Sequence, residues 1–180
     1  MMPVGPLMIE HRLIERMIAV MSRKLRQWER EGTVDTAFIE TAVDFIRTYA
    51  DRCHHGKEED ILFRELEKKS LSGDHRRIME ELVEEHRWGR TTTGKLVEAN
   101  EAYRSGESEA ASTIIECVTS LVEFYPKHIE KEDRHFFLPV MDYLSREEKD
   151  AMLKKEYAFD RALIHETYRD SVAQEEERAG

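Results

Sequence analysis

Apolar residues recur along the chain at steps of four and three, the spacing that lines one face of an α-helix. Short breaks rich in glycine, serine and charged residues interrupt this pattern near 31–33, 70–74, 105–107 and 144–147. The pattern therefore predicts five helices, at residues 6–30, 35–69, 74–104, 108–143 and 146–176. Because the first four are long and joined by short connections, neighbouring helices should be antiparallel. We predict an all-α fold, an up-down-up-down four-helix bundle with an additional C-terminal helix.

Length, charge and cysteine content narrow the class of protein. The 180 residues suffice for one sizeable core, and we assign 1–145 to the bundle and 146–180 to a C-terminal helix that packs on it. A net charge of −10 would repel a nucleic-acid backbone. No stretch approaches the roughly 18 apolar residues of a membrane span, and Cys53 and Cys117 form no CxxC motif. We expect a cytoplasmic protein that binds neither nucleic acid nor membrane.

Each predicted bundle helix carries a histidine on its apolar face, in a position otherwise filled by Leu, Ile, Val or Met. These residues are His11, His54, His86 and His128. A single histidine there is usually a hydrogen-bonded core residue. Four buried imidazoles without partners would each cost roughly 2–7 kcal/mol, which a domain stable by about 5–15 kcal/mol does not tolerate. Either these groups pair with one another, or a bound cation compensates them.

Two of the histidines begin a His-x-x-x-Glu pair, and this spacing favours the cation. His54 precedes Glu58, and His128 precedes Glu132, by about one helical turn, so each pair projects from one face. Four imidazoles and two carboxylates are too many ligands for one tetrahedral zinc ion. They are typical of two metal ions bridged by carboxylates, most naturally iron or manganese. We predict a dinuclear site in the bundle core, formed by His11, His54, Glu58, His86, His128 and Glu132.

The ordered set of motifs resembles the hemerythrin family, specifically bacterial and archaeal proteins with a hemerythrin HHE cation-binding domain. The resemblance covers about residues 7–143 and includes the segments HHGKEEDILF and HIEKEDRHFFLP. It implies a non-haem di-iron centre with an oxo or hydroxo bridge, and reversible binding of O₂ or a related small ligand for sensing, storage or delivery. Zinc or manganese would suit the same donors. The residues that match terminal iron ligands are His11, His54, His86 and His128, and those that match bridging carboxylates are Glu58 and Glu132.

The third helix departs from the family's pattern. Oxygen-carrying hemerythrins place two histidines one turn apart there, whereas Arg90 stands one turn after His86 and Leu82 one turn before it. One ligand is therefore missing, and the resemblance then implies two open coordination positions instead of one. The candidates for a further ligand are His55, Glu59 and His75. We expect His55 to face outward or to support a ligand from behind, because on an α-helix it is turned about 100° from its neighbour.

The fourth helix poses two further questions. The carrier family has an aspartate five residues after the last histidine, where Asp133 stands, but helical register favours Glu132 as the ligand. Pro126 lies inside the predicted helix, where proline removes a hydrogen bond and breaks or kinks the helix. Because the apolar pattern continues across it, we predict a kink or bulge that re-aims His128 and Glu132.

Two other functions stay open. Two free coordination positions on a di-iron centre would also suit an enzyme acting on peroxide or nitric oxide, although the sequence contains no visible arrangement of nucleophile and base. A bundle in which iron or zinc is structural or buffered is the other alternative. The sequence does not distinguish these functions from ligand binding, nor does it reveal the oligomeric state.

Overall fold

The computed structural model describes residues 2–160 and 164–179, and over these residues it confirms the all-α fold. They form six helices and no strand. The helices that keep one helical type throughout are α1 (Val4–Glu31), α3 (Gly73–Arg104), α5 (Arg146–Phe159) and α6 (Ile164–Ala179). In this part of the chain no helix combines the length and apolar character that crossing a membrane requires.

The helices α2 and α4 change type along their length. The α2 helix spans residues 36–66, as α-helix at Thr36–Phe45, π-helix at Ile46–His55 and Glu58–Phe63, and a last turn at Arg64–Leu66. The α4 helix spans residues 110–143, with Ala110–Lys131, a π-helical Glu132–Phe136, Phe137–Val140 and a 3₁₀ turn at Met141–Tyr143. π-Helical turns are frequent at functional sites. Among the histidines and acids discussed below, these turns contain Asp51, His54, His55, Glu58, Glu59, Glu132, Asp133 and His135.

Two apolar clusters show that the first four helices form the predicted up-down-up-down bundle. One cluster joins the ends of α1 and α3 to the starts of α2 and α4, through residues such as Trp28, Leu96, Phe38 and Ile114. The other joins the starts of α1 and α3 to the ends of α2 and α4, through Leu7, Leu82, Leu66 and Phe136. Each helix is thus antiparallel to its neighbours. The four histidines of the predicted site lie along the chain between residues of the two clusters, so a polar layer divides the apolar core.

The C-terminal region forms two helices where the sequence predicts one. Residues 161–163, including Ala162 of the predicted helix 146–176, lie outside the described residues. Ser145 begins α5 with a reciprocal capping box to Glu148, and Met152 joins the second apolar cluster. In α6, Tyr168 and Val172 join the first cluster. Both helices therefore pack on the bundle, while the domain boundary at residue 145 stays a prediction.

Pro126 neither divides α4 nor marks its bulge. Regular α-helix continues through the proline to Lys131, and the π-helical turn begins at Glu132, six residues after it. Pro126 lies on the exposed side of the helix, where water can satisfy the carbonyl that lacks its usual donor. A bulge is present in α4, but it begins after His128 and does not coincide with the proline, so the prediction that Pro126 re-aims His128 and Glu132 is not confirmed.

The turn after α1 requires glycine. Gly32 has a left-handed φ of 69°, and its N–H donates to the Trp28 carbonyl to close the helix. We expect Gly32→Ala to lower the free energy of unfolding by about 1 kcal/mol, since a Cβ costs roughly 1–2 kcal/mol in this conformation. Gly73→Ala is the matched control, because an added Cβ also meets nothing within 4 Å there but no positive φ is involved. Urea unfolding measures both, and equal effects would contradict the explanation.

Candidate metal centre

The structure brings all six predicted side chains into one buried cluster at the centre of the bundle. Each is 2% exposed or less. Ligand atoms of His11, His54, Glu58 and Glu132 lie within 4.8 Å of one another. The remaining two histidines, His86 and His128, border the same carboxylates from the opposite side. That the six side chains bind metal stays a prediction, but all six lie in the same cluster.

Each glutamate spans two histidines with its two oxygens. Glu58 Oε1 lies 3.3 Å from His54 Nε2, and its Oε2 lies 3.3 Å from His86 Nε2. Glu132 Oε2 lies 3.1 Å from His11 Nε2, and its Oε1 lies 3.1 Å from His128 Nε2. Both carboxylates therefore extend from one pair of histidines to the other. This is the arrangement in which a carboxylate bridges two cations.

The inward-facing atoms of the cluster have no hydrogen-bond partner of acceptable geometry. They are the Nε2 atoms of His11, His54, His86 and His128 and both carboxylate oxygens of Glu58 and Glu132. Buried polar groups are almost always hydrogen-bonded, and leaving one unpaired costs roughly 1–3 kcal/mol. Eight such atoms turned toward one another fit a site for cations, which supply the missing partners. The donor set of imidazole and carboxylate suits iron, manganese or zinc.

The opposite nitrogen of every histidine is held by a carboxylate. The contacts from Nδ1 are 2.8 Å for His11 to Asp133, 2.8 Å for His54 to Glu10, 2.7 Å for His86 to Glu59 and 2.7 Å for His128 to Glu85. Since a carboxylate oxygen only accepts, Nδ1 carries a hydrogen, and Nε2, which points to the interior, is the nitrogen that can bind a metal when it carries no proton. Such carboxylates fix the orientation of ligating histidines and raise their basicity.

These contacts assign the acids that the sequence left open. Glu132 faces the cluster, whereas the neighbouring Asp133 lies behind His11. Glu59 supports His86 from behind. Sequence reasoning missed Glu10 and Glu85. The signal was present, because each directly precedes a histidine of the cluster and projects from the adjacent face of its helix, toward the next helix.

His55 is buried, and the expectation that it faces outward is wrong. Its ring stacks on that of His86 with 3.9 Å between centroids and meets His128 edge-on at 5.6 Å. Its ligand atom lies within 4.8 Å of those of His86 and His128. The expectation assumed α-helical rotation, but His55 ends a π-helical segment. A residue turns less about the axis there, because each hydrogen bond spans five residues instead of four, so His54 and His55 both reach the interior.

Other candidate residues lie away from the cluster. His75 Nδ1 lies 2.9 Å from the Tyr143 hydroxyl, and His135 is exposed. The Cys53 thiol donates to Asp160 over 3.4 Å, on the side of α2 that faces the C-terminal helices. Neither His75 nor Cys53 therefore supplies a ligand to the central cluster.

The electrostatics of the cluster keep Glu132 ionised. Burial raises the pKa of Glu132, but His128, His11 and His86 together hold it well below its ordinary value. Burial would lower the pKa of His11, yet the carboxylates of Asp133 and Glu132 on either side of its ring raise it to about 10. For His55, burial and then the neighbouring histidines lower the pKa well below the usual value. A neutral imidazole is the form that binds a metal.

A cavity of about 260 Å³ opens beside the cluster. His55 and His86 form part of its wall, together with Ile46, Thr93 and Tyr125. At its edge, Arg90 contacts Asp51 over 2.8 Å and Glu59 over 2.7 Å. The arginine that stands where carrier hemerythrins have a histidine thus joins the carboxylates that contact His55 and His86.

Comparison with known proteins identifies the class. Residues 2–140 match the family described as Hemerythrin HHE cation binding domain, and the chain belongs to this family. It is 22% identical over 139 residues to an uncharacterized protein of Mycobacterium bovis and to its counterparts in two Mycobacterium tuberculosis strains. The match covers 77% of this chain and 53% of those proteins, so the chain spans about half of their length. No solved structure matches it.

The supporting acids generate a test of the site. We expect Glu85→Ala to weaken binding of a divalent cation tenfold to a hundredfold, roughly the cost of losing such a support. Glu81→Ala is the matched control, because Glu81 also pairs with Lys131 from one turn away but contacts no histidine. An exposed ion pair of this kind contributes little. Titration calorimetry with Zn²⁺ measures both variants, and equal losses would contradict the assignment.

Proposed function

We propose that this protein binds a pair of iron ions and, through them, reversibly binds O₂ or a related small ligand. The observation that carries the proposal is the set of eight inward nitrogen and oxygen atoms without partners, in which two carboxylates each extend between two histidines. Membership of a family whose domain binds cations also supports the proposal. Bound iron would supply two electrons to O₂ and recover them when O₂ leaves.

The histidines divide unequally between the two ions. His11 and His54 would hold one ion, and His86 and His128 the other, with Glu58 and Glu132 shared. His55 lies on the second side and would be the ligand that the third helix lacks. The first ion would then have two imidazoles and the second three. The half with fewer protein ligands is where an exogenous ligand would bind.

The surroundings favour reversible binding over turnover. The ring of Phe137 stacks on His11 with 5.5 Å between centroids, and Phe124 stacks on His128 with 5.0 Å. These apolar walls restrict water, and the acids behind the histidines are already paired with basic residues. Excluding water protects a reactive bound ligand from side reactions.

Iron analysis with an optical spectrum tests the proposal. Anaerobic reconstitution with Fe²⁺ should load two ions per chain, and O₂ should produce a charge-transfer band that disappears when O₂ is removed. His54→Ala should lose iron because it removes a donor of the cluster. His135→Ala, at an exposed position, should load normally.

Other outcomes would contradict the proposal in distinguishable ways. Irreversible oxidation with consumption of peroxide or nitric oxide would indicate an enzyme. A protein that retains zinc and loads far fewer than two irons would indicate a structural or buffering site. Equal iron loss in the two histidine variants would contradict the assignment of the iron to the central cluster.

The cavity beside His55 opens on the half of the cluster with three imidazoles, so it provides a test of whether an exogenous ligand enters there and crosses to the half with two. We expect Ile46→Phe, which adds volume to the cavity wall, to slow azide binding to the iron-loaded protein without reducing its iron content. Val43→Phe is the matched control, because Val43 lies one turn earlier on α2 and lines a separate cavity of about 250 Å³ away from the histidines. Stopped-flow absorbance measures the rates. Equal slowing in both variants would rule out this cavity as the route.

A further inference from the structure

The C-terminal helices reach the metal centre through one buried lysine. Lys57 is completely buried, at 0% exposure, and lies between Glu10 on α1 and Asp160, which follows α5. Glu10 in turn accepts from Nδ1 of His54 over 2.8 Å. The family match ends at residue 140. A residue outside the family's domain is therefore two side chains away from a predicted metal ligand.

The donors and acceptors around Lys57 match in number. An ammonium group carries three N–H donors. One contacts Glu10 Oε1, and two others are satisfied by Asp160 Oδ1 at 2.7 Å and Oδ2 at 2.8 Å. If Asp160 lost its charge, most of this cation's hydrogen bonds would weaken in a place without access to water. The lysine would then move, and Glu10 would move with it, because breaking a buried pair is costly.

The other three histidines are supported differently. The basic residues behind their carboxylates are Arg12, Arg90 and Lys131, whose side chains are 55%, 39% and 26% exposed. Water can replace any of these contacts. Among the four supports, the one behind His54 is held by a completely buried cation. His54 is therefore the histidine whose position depends most on a distant residue.

Neighbouring groups do not substitute for Asp160. Burial raises the pKa of Glu156 to about 8, so this buried carboxyl is neutral at pH 7, and neither of its oxygens has a hydrogen-bond partner. His165 Nε2 lies 3.4 Å from Asp160 and 3.7 Å from Glu10, and Cys53 donates to Asp160. Asp160 is the group that these contacts share.

We propose that Asp160 is a positioning residue for His54, so that the C-terminal helices form part of the metal centre. Asp160 fixes Lys57, Lys57 fixes Glu10, and Glu10 keeps the Nε2 lone pair of His54 turned inward. The inference rests on the proposed function in one respect, that His54 is a metal ligand.

The test uses the full chain with two readouts. Nitrogen NMR of the metal-free protein reports the hydrogen bond of each histidine ring, with His54 assigned by its absence in His54→Ala. Zn²⁺ titration reports the affinity of each ion. In Asp160→Asn we expect the His54 signal to shift while the His86 and His128 signals do not, and one of the two zinc affinities to fall about tenfold or more.

Glu176→Gln is the matched control. Glu176 fixes α6 to α1 through a two-point contact with Arg16, at 3.0 Å and 2.6 Å, and touches no group of this network. It should leave the His54 signal and both zinc affinities unchanged. Equal effects in Glu176→Gln and Asp160→Asn would overturn the proposal, because they would show that any loosening of the C-terminal helices is sufficient.

The remaining outcomes are also decisive. Unchanged His54 signals and zinc affinities in folded Asp160→Asn would overturn the proposal. If that variant does not fold, Lys57→Met combined with Asp160→Leu replaces this ion pair by apolar residues, a change that often preserves the fold. Glu10 stays against His54 but loses its cation, and the same His54 shift is expected. If the wild type binds fewer than two zinc ions while His54 still shifts in Asp160→Asn, the dinuclear function fails and the positioning role stands.

Discussion

The structure depends on keeping four imidazoles and two carboxylates in the middle of an apolar core. The chain meets this constraint with a closed ring of contacts between helices. An acid on α1, Glu10, holds the histidine of α2, and Glu59 on α2 holds that of α3. Glu85 on α3 then holds the histidine of α4, and Asp133 on α4 holds that of α1. Each helix orients a histidine on the next, so the orientation of every one of the four requires the bundle to be assembled. Burial of apolar surface in the two clusters on either side stabilises the assembled bundle.

The same ring explains how the acidic composition is used. Each supporting carboxylate accepts from a histidine on one side and from a lysine or arginine on the other. This pairing keeps Glu59 ionised, because His86 and Arg90 lower its pKa to about 2 against the effect of burial. An ionised carboxylate behind a histidine makes its imidazole more basic and a stronger ligand for a metal. Part of the chain's excess of acids therefore surrounds the cluster instead of only covering the surface.

Much of the fold and site could be predicted because both follow helical periodicity. The apolar pattern indicated the helices of the bundle, and the spacing of His54 from Glu58 placed both on one face. Periodicity failed where the helix changes type, since His55 turns inward only on a π-helix, which neither propensity nor spacing indicates. Glu10 and Glu85 were missed for a different reason. Each lies one residue from a histidine, on a face that appears solvent-exposed until the neighbouring helix is in place.

The position of His55 also changes what the departure on the third helix means. Considered alone, Arg90 in place of a histidine removes a ligand. In the structure, Arg90 contacts Asp51 and Glu59, the two carboxylates that lie against His55 and His86. The histidine absent from position 90 of α3 is thus accompanied by a second buried imidazole on α2, and the arginine contacts the carboxylates that lie against both rings. The π-helical turn and the arginine therefore act on the same pair of rings. A return to histidine at position 90 would place a donor where the supports of His55 and His86 are now held by a cation.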